Sequence, residues 1–265
     1  MFYDAHNHLQ DTRLDPWRAE IMADLEKSDL AEAVVNGTQE SDWQAVADLA
    51  QKYPWVRPSF GLHPWHVQGR SSQWYERLDD FLKQYPTAAI GEIGLDRWIE
   101  NSDMEAQRDC FRKQLALAVE RDRPVTIHCL RAWGMLVEEL RSHPLPRRGF
   151  LLHSYGGPVE MIPEFVKMGA YFSLSPYFGH ARKAAQLATF KAVPIDRILA
   201  ETDAPDMRPP DDLNPHPLGR QDTPLNHPAN LSVSYALLGE IKVKSNKEIT
   251  RQIEQNYRHF FVRNL

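Results

Sequence analysis

Ile90-Gly-Glu-Ile-Gly-Leu-Asp96 sets a carboxylate, Glu92, inside a run of strand length that is otherwise apolar or glycine. Buried and alone, that charge would cost several kcal/mol, on the order expected for an ionised group out of water. It therefore needs a partner, either an arginine in the core or a cation. Other short apolar runs carry groups of a related kind at or just after their ends. His6 and His8 lie in Phe2-Tyr-Asp-Ala-His-Asn-His8, His128 closes Val125-Thr-Ile-His128, and His153 closes Phe150-Leu-Leu-His153. Asp203 follows in Ile198-Leu-Ala-Glu-Thr-Asp203. Neutral imidazole with carboxylate is the ligand mixture that holds zinc and similar divalent ions. Strand ends arranged in a ring would gather all these groups into one site.

Such runs recur along the chain and predict strands near 2–7, 31–36, 56–61, 88–94, 124–129, 149–153, 170–174 and 197–201. Between them, apolar residues at helical spacing predict helices over 16–28, 42–53, 72–85, 104–122, 133–142, 158–168 and 180–191. Turn and breaker residues mark the joins, among them Asn36-Gly37, Pro86, Pro124, Gly149 and Pro194. Asp103 reads as the N-cap of the helix it precedes. Strict alternation of strand and helix points to a parallel sheet covered by helices. Eight such units favour closure, so the expected fold is α/β, a (β/α)8 TIM-type barrel. Two additional C-terminal helices are predicted over 229–240 and 246–263. The Pro- and Asp-rich segment 205–228 reads as a long loop over the barrel mouth. Single barrels commonly reach this length, so residues 1–265 are expected to form one domain.

Composition bounds the function. Hydrophobic residues make up 42% of the chain, enough for a sizeable core, and charged residues 25%. No run is long enough to cross a bilayer and no signal peptide is visible, so a cytoplasmic protein is expected. Cys110 and Cys129 read as reduced core residues, which suits that compartment. The net charge of -5 argues against a protein that coats nucleic acid by bulk charge. It leaves room for a nuclease, because divalent ions in a pocket supply positive charge locally.

The site residues divide by chemistry. His6 and His8 are two apart, so on a strand both imidazoles share a face and can bind one ion. Cys129, next to His128, should point to the opposite face and is not expected to be a ligand. Asp203 can ligate a metal and accept a proton from an attacking water. Glu201, two residues earlier, reads as a group orienting a histidine or an arginine behind the ligands, or as a charge capping the strand end.

These motifs resemble the TatD family of metal-dependent deoxyribonucleases. The resemblance rests on Asp4-Ala-His-Asn-His-Leu9, Gly61-Leu-His-Pro64, Gly91-Glu-Ile-Gly-Leu-Asp96, His128, His153-Ser-Tyr-Gly-Gly157 and Glu201-Thr-Asp-Ala-Pro205. It implies a barrel holding two divalent metal ions, zinc, manganese or magnesium. By analogy, His6, His8, Glu92 and Asp203 hold one ion, and Glu92, His128 and His153 the other. His63 would lie near the substrate phosphate; Arg131, by its charge rather than by the resemblance, is a second candidate substrate contact. The expected activity is hydrolysis of phosphodiester bonds in single-stranded DNA, with DNA as the substrate partner and the chain acting as a monomer.

Departures from the family pattern flank the metals. The fifth strand reads His128-Cys-Leu-Arg131, with its arginine one residue later than usual. Leu225-Asn-His-Pro228 stands where Arg-Asn-Glu-Pro is common, and His153-Ser-Tyr-Gly-Gly157 also differs. Two other readings use the same metals on another bond, a D-aminoacyl-tRNA deacylase or a lactone or phosphotriester hydrolase. A third is a barrel that binds metal and nucleic acid without turnover. Trp65, Trp98, Trp133, Tyr155 and Tyr177 follow strand ends and could stack on bases or pack loops against the rim. Arg97, Arg182 and Lys183 are further candidates for phosphate contacts.

Overall fold

A computed structural model describes residues 1–262. Its main strands are β1 (Phe2–Asn7), β2 (Leu30–Asn36), β3 (Val56–Phe60), β4 (Ala89–Asp96), β5 (Val125–Leu130), β6 (Phe150–Leu152), β7 (Ala170–Leu174) and β8 (Ile198–Ala200). They hydrogen-bond in chain order as one eight-stranded sheet. Helices α1 (Arg18–Lys27), α2 (Trp43–Lys52), α3 (Trp74–Gln84), α4 (Met104–Arg121), α5 (Trp133–Ser142), α6 (Ile162–Lys167) and α7 (Ala184–Thr189) connect successive strands. This is the (β/α)8 barrel class that the alternation predicts. The two extra helices follow as α8 (Leu231–Lys242) and α9 (Asn246–Phe261); residue 263, the expected end of the last one, lies outside the described residues.

The chain divides into two compact units. One comprises 1–34, 154–163 and the chain from 172 onward. In it α9 packs against β1 and β8, burying Tyr3, Leu199, Ile253 and Tyr257. The sequence starts α9 firmly. Ser245 and Glu248 form a reciprocal capping box, satisfying amides that the first turn leaves without partners. The first strand also lies beside the last. Asp203 N donates to His6 O at 2.9 Å, and His8 N donates to Ala204 O at 2.7 Å.

The other unit comprises 35–153 and 164–171. Strands β3 to β6 pair in parallel there, with Ile93 opposite Ile127 and Ile127 opposite Leu152. Every residue of β4 is buried, which is why the run is apolar on both faces rather than alternating. Its pairing with β5 shifts register between Ile90 and Ile93, a bulge that brackets Gly91 and Glu92. Gly94 lies at φ +154°, and a methyl group there would sit 1.9 Å from the carbonyl oxygen of His128. Only glycine lets β4 come this close to β5.

The structure corrects some boundaries. The expected helix 16–28 begins at Arg18, after a 3-10 turn over Thr12–Trp17 that contains Pro16. The expected helices 158–168 and 180–191 become 3-10 turns leading into the short α6 and α7. Pro158 and Pro163 explain the first, since proline fits only the opening turn of a helix. The segment 205–228 carries a hairpin, β9 (Pro217–Gly219) against β10 (Pro224–Asn226). Buried Asn226 and Asn230 anchor it. Asn226 Nδ2 donates to Thr202 O at 2.8 Å, and Asn230 Nδ2 to Asn226 Oδ1 at 3.0 Å.

Candidate metal centre

Two sets of ligand-type atoms converge, one in each unit. In the first, β1 presents His6 and His8 on one face, as the two-residue spacing requires. Their Nε2 atoms are 3.2 Å apart, and Asp203 Oδ1 lies 3.5 Å from each. Asp203 comes just after β8 with φ +53°, a left-handed conformation unusual for a residue other than glycine. His6 is fully buried, Asp203 nearly so, and His8 half-buried.

Behind this set sits a residue to which the sequence reading gave no role. Buried Asp4 accepts from His6 N at 3.2 Å, Asn7 Nδ2 at 3.1 Å, Thr202 N at 3.0 Å and Thr202 Oγ1 at 2.6 Å. Burial pushes its carboxyl up to about 7 despite those bonds. Asp4 thus pins the histidine-bearing strand to the segment that delivers Asp203. Its place two residues before His6 was the available signal.

In the second unit one oxygen, Glu92 Oε1, lies 2.8 Å from His153 Nε2, 3.0 Å from His128 Nδ1 and 3.3 Å from His63 Nε2. The two strand-end imidazoles also approach each other, His128 Nδ1 to His153 Nε2 at 3.3 Å. The ring contacts separate the roles of these histidines. Asp96 Oδ2 lies 3.0 Å from His128 Nε2 and holds a proton there, so Nδ1, which faces Glu92, is the nitrogen that an ion would take in place of a proton. Burial lowers the basicity of His128, but the bonds to Asp96 and Glu92 outweigh it and the imidazole pKa is raised. Burial raises that of Asp96, but its bonds with His128 and Trp65 outweigh it and hold the carboxyl below its ordinary range. His63 is the reverse case. Its Nδ1 accepts from Trp65 N at 3.2 Å, which leaves the proton on Nε2, facing Glu92. His63 is therefore arranged as a donor, although its atoms lie within ligand distance.

Both sets fit a divalent ion. A tetrahedral ion with bonds of about 2.0–2.1 Å holds neighbouring donors roughly 3.4 Å apart. The 3.2–3.5 Å spacing of His6, His8 and Asp203 matches that closely. The second set spans 2.8–3.3 Å with the same mixture of imidazole and carboxylate.

The remaining expected residues sort themselves. Glu201 is fully buried; its carboxylate accepts from Ser154 N at 2.7 Å and from the Ser173 hydroxyl. Arg131 is exposed, at φ +56°, with its guanidinium 3.9 Å over the Trp98 ring. Tyr155 is fully buried and Trp133 packs edge-on against Phe165, so these two take the packing reading. Tyr177 is flanked by Arg182 and Lys183, each 5.3 Å from its ring. Cys110 is buried and Cys129 half-buried, and both are free thiols. Burial pushes Cys110 up to about 11.

The family model for TatD-related DNases matches residues 3–262. The chain belongs to that family. TatD-family relatives match it over nearly the whole length of both chains. The metal-dependent hydrolase YjjV of Escherichia coli K12 is 29% identical over 260 residues, 96% of this chain and 95% of that protein. The 3′-5′ ssDNA/RNA exonuclease TatD of Pantoea vagans is 27% identical over 261 residues, 98% of each. The crystal structure of YjjV superposes with a TM-score of 0.86 at 27% identity, covering 99% of this chain and 98% of that one. The TatD-family chain is thus a hydrolase of barrel fold. Among its described residues no helix is long and apolar enough to cross a membrane.

Proposed function

We propose that this TatD-family hydrolase is a metal-dependent deoxyribonuclease that removes nucleotides from single-stranded DNA. Residues 1–265 would work as one barrel domain, a cytoplasmic monomer. The observation that carries the reading is the pair of converged donor sets, His6/His8/Asp203 and Glu92/His128/His153. The exonuclease named among the relatives supports the choice of nucleic acid.

When bound, divalent ions supply Lewis acidity and positive charge beside a phosphodiester. We assign one ion to each donor set, with zinc or manganese favoured by the imidazole content. The chain's own residues do the rest. Asp203 accepts the proton of the attacking water. His63, with its proton on Nε2, donates to a phosphate oxygen. Arg131 meets the phosphate from the exposed side. Glu201 holds the Ser154 amide, which directly follows His153.

Asp203→Asn tests the mechanism. With Mn²⁺ supplied, hydrolysis of single-stranded DNA should fall at least about 100-fold, the loss expected for a positioned proton acceptor. Circular dichroism should be unchanged. Full activity in that variant sinks the assignment. Turnover of aminoacyl-tRNA or a lactone by the wild type, with none of DNA, replaces the substrate.

A further inference from the structure

Asp96 is fully buried, and its two carboxylate oxygens hold two different tryptophans. Oδ2 accepts from the indole Nε1 of Trp65 at 2.6 Å, and Oδ1 accepts from the backbone amide of Trp98 at 2.6 Å. Oδ2 also bonds His128. The chain has seven tryptophans, and among the described residues only these two are exposed, Trp65 by 56% and Trp98 by 58%. Large aromatic surface held open to solvent at one place marks a binding surface rather than a core. A cation completes it. The Arg131 guanidinium lies 3.9 Å over the Trp98 ring, and the indole keeps its exposure with that group above it.

A packing role does not explain this arrangement. A tryptophan with a packing role buries its ring, as Trp43 and Trp74 do at the starts of α2 and α3. Here the carboxylate holds Trp65 by its indole nitrogen and Trp98 by its backbone amide, and although the Trp65 ring meets His63 edge-on at 5.0 Å, more than half of each tryptophan stays exposed. The cation–π contact orders Arg131 before anything binds, which lowers the entropy lost on binding. Flat π faces beside an ordered guanidinium suit one chemistry, an unpaired nucleobase next to its phosphate. Bases inside a duplex are stacked on both sides and offer no free face.

We propose that Trp65, Trp98 and Arg131 form a stacking subsite for one unpaired nucleotide. The base lies on the indoles and Arg131 contacts the neighbouring phosphate. Through Asp96 the subsite is tied to His128, so the gripped nucleotide is placed in register with the second donor set. This assignment rests on the nuclease reading and adds the feature that selects single strands.

The test uses the full chain with Mn²⁺ supplied. Affinities for oligothymidylate and for an abasic deoxyribose-phosphate strand of equal length are measured in the Asp203→Asn background, by anisotropy and tryptophan emission. KM and kcat for oligothymidylate are measured in chains with Asp203 intact. The parent should prefer the strand with bases by about tenfold or more and show quenched emission. Trp98→Leu should remove most of that preference and raise KM more than it lowers kcat. Trp65→Phe, which keeps a ring without the N–H, should retain more preference than Trp65→Leu. Arg131→Gln should weaken both strands. Equal affinity for the two strands in the parent, or an unchanged preference in Trp98→Leu, overturns the subsite. No cleavage of DNA by the wild type overturns the nuclease reading alone, because the binding comparison still decides the subsite.

Discussion

Asp96 Oδ2 meets Nε2 of His128 at 3.0 Å, and that contact decides which imidazole nitrogen faces Glu92. Carboxylates behind metal-binding histidines typically change ion affinity by 10–100-fold when removed. Asp96→Asn should therefore weaken binding of one ion by about that range in a chelator-competition titration. It should leave the His6/His8/Asp203 set unchanged. Two ions bound with parental affinity would refute the role given to Asp96.

Each donor set should titrate by itself. His8→Ala should remove one binding step and His153→Ala the other, read by calorimetry with Zn²⁺ or Mn²⁺. Bound ion stabilises the fold by mass action, about 2.7 kcal/mol at a free concentration 100 times Kd. Chelator should thus lower the wild-type Tm, and lower it less in either variant.

Gly94→Ala tests the close approach of β4 to β5. The new methyl group meets the His128 carbonyl, and the φ of +154° is one that alanine rarely adopts. A cost of about 1–3 kcal/mol, the usual scale of overpacking, should appear as a lower Tm. Ion affinity at the Glu92 set should drop with it. A variant with parental stability would mean that the strands can part freely there.

His227 predicts acid sensitivity. Burial first, and then His216, push its pKa from 6.5 down to about 4, while Asp24 pulls weakly the other way. The folded state thus favours the neutral ring, whose Nδ1 accepts from Ala229 N at 3.0 Å. The unfolded chain takes up a proton near pH 6.5 and the folded chain only near 4. This stabilisation is complete above 6.5 and lost as pH falls through 4, a span of about 3 kcal/mol. Urea denaturation at pH 7, 5.5 and 4 measures the slope. His227→Asn, which keeps an acceptor near the Nδ1 position, should flatten it.

Much of the fold was legible because buried parallel strands are apolar on both faces and helices between them are not. Strand β4 runs two residues past its expected end, since Leu95 and Asp96 still pair with Cys129 and Leu130. The hairpin over 217–226 escaped notice because three-residue strands show no alternation and its anchors are asparagines. In the site, the imidazoles stood out as ionisable groups at the ends of apolar runs. Asp4 and Asp96 lay inside the same motifs and remained silent. Their roles depend on which strand lies beside which and in what register, and spacing along one strand does not carry that. The ring contacts that make His63 a donor and turn His128 Nδ1 toward Glu92 are likewise properties of the assembled sheet.

The bonds between β1 and the segment after β8 carry a consequence for biosynthesis. Asp4 and Thr202 are 198 residues apart in the chain. At about 5–20 residues per second, a ribosome needs roughly 10–40 s to travel that far. For that interval the nascent chain displays Phe2–Asn7 without its partner on the β8 side, and two imidazoles without their carboxylate. Nascent chains arrested before residue 203 should hold β1 open to protease, and arrest after α9 has emerged should close it.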